Sequence, residues 1–195
     1  MKQNLIRPVE MFARITSLML VALPLYAADT PGSSKAEWPG FLGPNRNNVS
    51  TENGLLADWT AEDPKLLWKA ENLGKGFSSV VVAGGTIITM GARDDSEYII
   101  AIDAATQKEL WAAKVGNIFK ENRGDGPRCT PAVDGGMVYG LGALGDLVCV
   151  EASTGKEVWR KSMSKDFKAK MMSGWGWSES PLIDGDKMIC APGAK

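Results

Sequence analysis

The sequence predicts an all-β fold assembled from repeated four-stranded antiparallel units, and two observations carry this prediction. Three segments of similar pattern, F-S-S-V-V-V-A-G-G, R-C-T-P-A-V-D-G-G and S-E-S-P-L-I-D-G-D, place the equivalent residues Ser79, Thr130 and Ser180 at separations of 51 and 50 residues. A second stretch, ending in Trp111 or Trp159, follows the first two segments, whereas the third copy stops before that point. A period of this length indicates stacked structural units.

Turn residues divide each copy into four short apolar strands. In the second copy the predicted strands are Arg128–Val133, Met137–Leu141, Leu147–Glu151 and Glu157–Lys161. Paired turn residues such as Gly84-Gly85 supply the positive φ angles that tight hairpins require. A single four-stranded sheet cannot bury both of its faces, so the units are expected to stack side by side as the blades of a β-propeller. The chain would hold about three blades, the third truncated, of a ring of about seven or eight. A β-sandwich and a β-solenoid are the alternative architectures.

The first residues have the pattern of an export signal. Three basic residues precede a short apolar run over residues 15–26, and small residues follow it at Ala27 and Ala28. A basic start, a short apolar segment and a small-residue exit are typical of a secretory signal peptide. We therefore expect cleavage after Ala27 or Ala28, a periplasmic or extracellular protein, and no membrane span after cleavage.

Three regions follow from this organisation. Residues 1–27 are the predicted signal peptide, residues 28–66 an N-terminal extension, and residues 67–195 the propeller blades.

Composition excludes several classes of function. The chain has no histidine, which removes Ser-His-Asp triads and histidine-ligated metal sites. Its formal net charge of −1 argues against a nucleic-acid partner, because phosphate binding needs a concentrated basic surface. Cys129, Cys149 and Cys190 lack the spacing of a metal site. Buried free thiols and one bridged pair are both compatible with the sequence.

The second half of each complete repeat resembles a known motif. The stretches A-I-D-A-A-T-Q-K-E-L-W and C-V-E-A-S-T-G-K-E-V-W look like the A-x-D-x-x-T-G-K-x-x-W tryptophan-docking motif of pyrroloquinoline quinone (PQQ)-like propeller repeats. The opening W-P-G-F-L-G-P-N-R-N-N and the phrases G-P-R-C-T-P and W-S-E-S-P-L-I-D-G resemble secreted bacterial PQQ-binding-like β-propeller proteins. The resemblance covers the chain from about Trp38 onward. It departs from the motif at Gln107, which replaces glycine, and at Glu151, which replaces aspartate.

The motif residues have predicted structural roles. The tryptophan rings are expected to wedge between adjacent blades, with each indole N–H donating to a carbonyl. The motif's acid, threonine and glycine are expected to close the turn that precedes the last strand. The predicted docking and turn residues are Trp68, Trp111, Trp159, Asp103, Thr106, Thr154 and Gly155.

Residues found in one copy only are the candidates for a functional site. They lie in the inter-blade loops over residues 114–128 and 162–179, which lead into the first strand of the next blade. The candidate residues at one mouth of the central channel are Arg123, Asp125, Arg128, Trp175, Trp177 and Glu179. Such a set could hold a carboxylated planar ligand, a sugar or a peptide strand. The alternative is that Arg128 and Glu179 pair at a loop base while the tryptophans fill gaps between blades.

The sequence supports two functions of different class. The first is a non-catalytic binding scaffold of the cell envelope whose partner is an envelope protein, a peptide or a carbohydrate. The second, implied by the resemblance, is a PQQ-dependent alcohol or sugar dehydrogenase that holds PQQ with Ca²⁺ through residues outside this stretch. No catalytic, cofactor-binding or metal-ligating residue is assigned within the chain.

Overall fold

Consecutive antiparallel sheets make up the chain. The computed structural model describes residues 37–55, 57–60, 63–191 and 193; the predicted signal peptide lies outside them. The first blade contains β1 (Val81–Ala83), β2 (Thr86–Arg93), β3 (Ser96–Asp103) and β4 (Glu109–Asn117). The second contains β5 (Ala132–Asp134), β6 (Met137–Leu141), β7 (Asp146–Glu151) and β8 (Glu157–Ser162). A short helix α1 (Met163–Asp166) precedes a two-stranded unit of β9 (Leu182–Asp184) and β10 (Lys187–Ile189).

The strands of each blade pair in chain order, and every pairing is antiparallel. The β1–β2 hairpin turns through Gly84 and Gly85, whose φ angles are 58° and 79°. Two successive positive φ angles define the type I′ turn, whose twist suits a two-residue hairpin. The prediction of four-stranded antiparallel propeller blades is therefore confirmed.

One boundary differs from its prediction by four residues, and three others differ by one residue. The first strand of the second blade begins at Ala132 rather than at Arg128. The backbone just before it bonds to the preceding blade, where the Phe77 N–H donates to the Pro127 carbonyl at 2.8 Å. Pro131 also has no N–H to give to a ladder.

The blades bury their faces against one another. The middle strands of both blades carry buried apolar side chains on both faces. Ile99 and Ile100, which point to opposite faces of β3, illustrate this. The contact is close at Gly140, where a Cβ atom would lie 2.8 Å from Ile99 Cδ1 of the first blade. Apolar burial between neighbouring sheets is the main stabilising contribution in such an arrangement.

Side-chain hydroxyls link the three units just before their first strands. The Ser79 N–H donates to the Thr130 hydroxyl at 3.3 Å, and the Thr130 N–H donates to the Ser180 hydroxyl at 3.0 Å. These are the anchor residues whose spacing defines the repeat. This position of the repeat therefore forms a hydrogen bond between neighbouring units.

The N-terminal extension covers the β1 and β5 edges of the first two blades. Trp38 pairs with Val82 of β1 through two backbone hydrogen bonds, and the Pro39 carbonyl accepts from the Val133 N–H at 2.7 Å. The Trp38 ring lies close to Gly43, where a Cβ atom would be 2.8 Å away. Each inner strand would otherwise present unpaired backbone groups.

The segment that precedes the first blade belongs to no sheet. Residues 64–70 have no assigned strand, and the side chains of Leu66 and Leu67 are 81% and 87% exposed.

No helix among the described residues is long and apolar enough to cross a membrane.

All three cysteines are free thiols. Burial raises the pKa of Cys129 to about 12 and raises the pKa of Cys149 and of Cys190. Because the thiolate is the reactive form, we expect the native protein to react slowly with a thiol reagent, with half-buried Cys190 reacting before the others. Titration with Ellman's reagent should count three thiols per chain after unfolding, and a count of one would mean that two of them are bridged.

Candidate functional site

Arg128 lies at the centre of the candidate mouth. The residue belongs to the loop before β5, and only 6% of it is exposed. The guanidinium donates to the Gly126 carbonyl and, at 2.8 Å, to the Gly124 carbonyl. Gly124 and Gly126 both have positive φ angles, which allow this loop to turn its carbonyls toward the side chain.

Three aromatic rings enclose the same guanidinium. Its carbon lies 4.6 Å from the ring centre of Phe119, 4.9 Å from that of Trp175 and 5.2 Å from that of Phe77. These distances are within the range of cation–π attraction. The three rings come from the loops leading into three successive units, so the cluster fastens those loops together.

Burial also changes the electrostatics of Arg128. It lowers the pKa of the guanidinium, while the carboxylates of Glu97, Glu121 and Asp125 oppose that shift. Among the described residues Arg128 forms no ion pair within 4.0 Å, and its Nε has no hydrogen-bond partner. The predicted alternative of an Arg128–Glu179 pair is therefore not what the structure contains. Glu179 instead has a buried Oε1 that likewise lacks a partner.

The outer side of this cluster is accessible. Arg123 is exposed and lies 5.6 Å from the ring centre of Trp175, which is tilted by 48° against Phe77. Asp125 accepts hydrogen bonds from the Glu121 N–H and from Lys75, and these bonds lower its pKa. The surface therefore presents a cation, an aromatic face and a carboxylate on one loop cluster.

Trp177 and Glu179 are placed differently. Trp177 is buried, and its ring lies 3.0 Å from the position a Cβ atom would take at Gly145. The backbone N–H of Trp177 donates to the Ala143 carbonyl, and this hydrogen bond joins the third unit to the second. Glu179 lines a pocket beside Trp177, Met171 and Met172. The six predicted residues thus divide into a loop cluster of four and a separate pair.

Glu97 was not predicted as a notable residue, yet it connects the first blade to both neighbouring loops. The residue is fully buried at the start of β3. Its Oε1 accepts the Phe119 N–H at 3.1 Å and its Oε2 accepts the Ala143 N–H at 2.9 Å. Burial raises the pKa of this carboxyl, and the two backbone hydrogen bonds oppose the shift. A charged residue inside the strand S-E-Y-I-I-A-I-D was the available sequence signal.

The docking tryptophans differ in their contacts. The Trp111 indole N–H donates to the Ala152 carbonyl of the next blade at 3.0 Å, and its ring lies under Gly155. Trp159 packs beside Tyr139 of its own blade, with ring centres 6.2 Å apart. Trp68 is half-buried and lies in residues 64–70, outside the sheets.

The turn residues of the repeats form side-chain hydrogen bonds. Asp103 Oδ1 accepts from the Thr106 N–H at 2.6 Å and from the Thr106 hydroxyl at 2.7 Å. In the second blade the Thr154 hydroxyl donates to Glu151 at 2.8 Å, so the glutamate serves where the first blade has aspartate. Gln107 adopts a φ of 63°, a conformation that suits the glycine found there in the second copy.

Comparison with known proteins gives one family and several similar folds. The sequence model of the PQQ_2 family, described as outer membrane protein assembly factor BamB, matches residues 32–114 and 95–195. No match was found among curated proteins.

Among solved structures, a quinohemoprotein alcohol dehydrogenase from Comamonas testosteroni is 21% identical with a TM-score of 0.58. The match covers 80% of this chain and 23% of that one, so the present chain spans less than a quarter of it. BamB from Moraxella catarrhalis is 15% identical with a TM-score of 0.37, covering 59% of this chain and 45% of that one. The dehydrogenase likeness shows the fold.

Proposed function

Because this chain belongs to the family described as outer membrane protein assembly factor BamB, we propose that it is an exported, non-catalytic binding scaffold of the cell envelope. Its partner would be an envelope protein, a peptide or a carbohydrate. The binding surface would be the outer side of the loop cluster formed by Arg123, Asp125, Arg128 and Trp175.

The observation that carries this proposal is the state of Arg128. Its buried guanidinium is committed to two loop carbonyls and three aromatic rings. Loops held in this way form a surface that needs little ordering when a partner binds, which favours affinity. Exposed Arg123 above the Trp175 ring adds a cation and an aromatic face, which are both common among residues that dominate binding energy.

The residues at this mouth do not fit PQQ with Ca²⁺. Arg128 is enclosed by protein groups, so it does not offer its guanidinium to the carboxylates of such a cofactor. Within the described residues, no three His, Cys, Asp or Glu side chains are grouped so that they could hold a metal ion. Calcium sites usually need six to eight oxygen ligands, several of them carboxylates.

The proposal predicts that binding depends on the outer side of the loop cluster. The full chain would be applied to a peptide array and to a panel of envelope glycans. A specific ligand found there should bind at least about tenfold more weakly to Arg123→Ala and to Trp175→Ala, since truncating a central interface residue commonly has this effect. Trp59→Ala, which removes another exposed tryptophan, is the matched control and should bind as the native chain does.

A cofactor experiment separates the two functions. PQQ and Ca²⁺ would be added to the full-length protein, including any residues outside this stretch, while quinone absorbance and alcohol-dependent dye reduction are followed. The scaffold proposal expects neither signal. A shifted quinone spectrum together with dye reduction would support the dehydrogenase and overturn the scaffold.

A further inference from the structure

The connection between the second blade and the third unit is unusually basic for this protein. Residues 161–172, K-S-M-S-K-D-F-K-A-K-M-M, contain four lysines and one aspartate, whereas the whole chain has a formal net charge of −1. We call this segment the lysine loop. Cationic charge is therefore concentrated in one surface segment of a chain that is otherwise acidic.

The fold holds the lysine loop in a fixed shape. Met163 is 1% exposed, and its N–H donates to the Gly145 carbonyl at 2.8 Å. Its own carbonyl accepts from the N–H of buried Ala169 at 3.0 Å. Ser162 caps α1 by accepting the Lys165 N–H, and its own N–H donates to Asp166. These contacts direct Met163 and Ala169 inward, so the residues between them face outward.

The outward side combines cations with apolar side chains. Phe167 is 50% exposed and Met172 is 79% exposed. The four lysines are exposed, and within the part of the chain that the structure describes none of them forms an ion pair. They are Lys161, Lys165, Lys168 and Lys170. The single acid of the loop, Asp166, is engaged by the Ser162 N–H.

We propose that the lysine loop is a docking surface for an anionic lipid bilayer. Lysine ammonium groups are attracted to a negatively charged membrane surface, and their contributions add over a cluster. Exposed aromatic and thioether side chains beside them can enter the headgroup boundary, as the apolar face of an interfacial segment does. An acidic protein would be recognised by the lysines alone, whereas Phe167 and Met172 exposed among them favour a lipid surface.

Vesicle co-sedimentation tests the proposal. The full chain would be mixed with vesicles of phosphatidylcholine alone and with vesicles that also contain phosphatidylglycerol. We expect strong sedimentation with the anionic vesicles only, and loss of that binding as salt is raised, because screening weakens exposed charges. Equal binding to both vesicle types would overturn the proposal.

Charge-reversal variants assign the binding to the loop. Lys165→Glu/Lys170→Glu should weaken binding to anionic vesicles at least tenfold, as expected from a loss of about fivefold or more per lysine. Lys108→Glu/Lys156→Glu makes the same charge change at exposed lysines elsewhere and should bind nearly as the native chain does. The native chain and all variants share the same N-terminal residues, so any vesicle binding by those residues is equal in every sample. An equal loss in both double variants would contradict a specific loop surface.

Two further measurements complete the test. Phe167→Ser/Met172→Ser should weaken vesicle binding even at low salt, and an unchanged affinity would show that neither side chain enters the bilayer. Circular dichroism melting of each variant verifies that it is folded. Binding to immobilised polyglutamate without binding to anionic vesicles would replace the lipid by an acidic protein partner.

Discussion

Glu97→Ala is expected to lower the free energy of unfolding by about 2–6 kcal/mol, because each buried N–H left without a partner costs about 1–3 kcal/mol. The two groups affected are the N–H of Phe119 and the N–H of Ala143, which both donate to this carboxylate. Urea unfolding followed by tryptophan fluorescence measures the effect. Glu71→Ala, which removes only an exposed ion pair with Lys69, should change stability by less than about 1 kcal/mol.

We also expect the stability contribution of Glu97 to depend on pH. Burial raises the pKa of the Glu97 carboxyl above its ordinary value of 4.5, so the folded chain binds its proton more tightly than the unfolded chain does. The stability that this group contributes is therefore greatest below the ordinary pKa and decreases as the pH rises through the raised value. The difference in stability between the native chain and Glu97→Ala should be larger at acidic than at neutral pH. A difference that increases with pH would contradict this sign.

Trp111→Ala is expected to destabilise the fold by about 3–5 kcal/mol, the usual cost of truncating a packed aromatic residue. The loss combines the contact of the ring with Gly155 and the hydrogen bond from its indole N–H to the Ala152 carbonyl. The melting temperature, measured by calorimetry, should decrease accordingly. An unchanged melting temperature would show that the ring contributes nothing to the packing of the blades.

Two substitutions separate the parts of this contact. Trp111→Phe keeps an aromatic ring but removes the donor, and about 0.5–1.5 kcal/mol of the effect should follow from the hydrogen bond. Gly155→Ala would place a Cβ atom 2.6 Å from the Trp111 ring at a φ of 70°, so it should also destabilise from the other side of the interface. A tolerated alanine at Gly155 would contradict the close approach.

Periodic residues were predictable from sequence because each repeat solves the same packing problem. The anchors Ser79, Thr130 and Ser180 were found by spacing, and the structure gives them one shared contact. The paired glycines of the hairpins were found because tight turns demand positive φ angles. In both cases a local sequence rule and the tertiary fold require the same residue.

Contacts between distant segments were not predictable in this way. The sequence marks Arg128 as a candidate channel-mouth residue, but its enclosure by Phe77, Phe119 and Trp175 depends on three separate loops meeting. Glu97 accepts hydrogen bonds from residues 22 and 46 positions along the chain. Nothing local marks such partners, because the fold alone brings them together.

The hydroxyl hydrogen bonds just before the first strands constrain the chain length at which repeats can be added or removed. Each bond joins one position of a repeat to the same position of the next. Duplicating or deleting one whole repeat would therefore keep each anchor residue matched to that of its new neighbour, whereas a change of half a repeat would leave donors and acceptors mismatched. Genetic gain or loss in this lineage is thus expected to proceed in steps of about fifty residues.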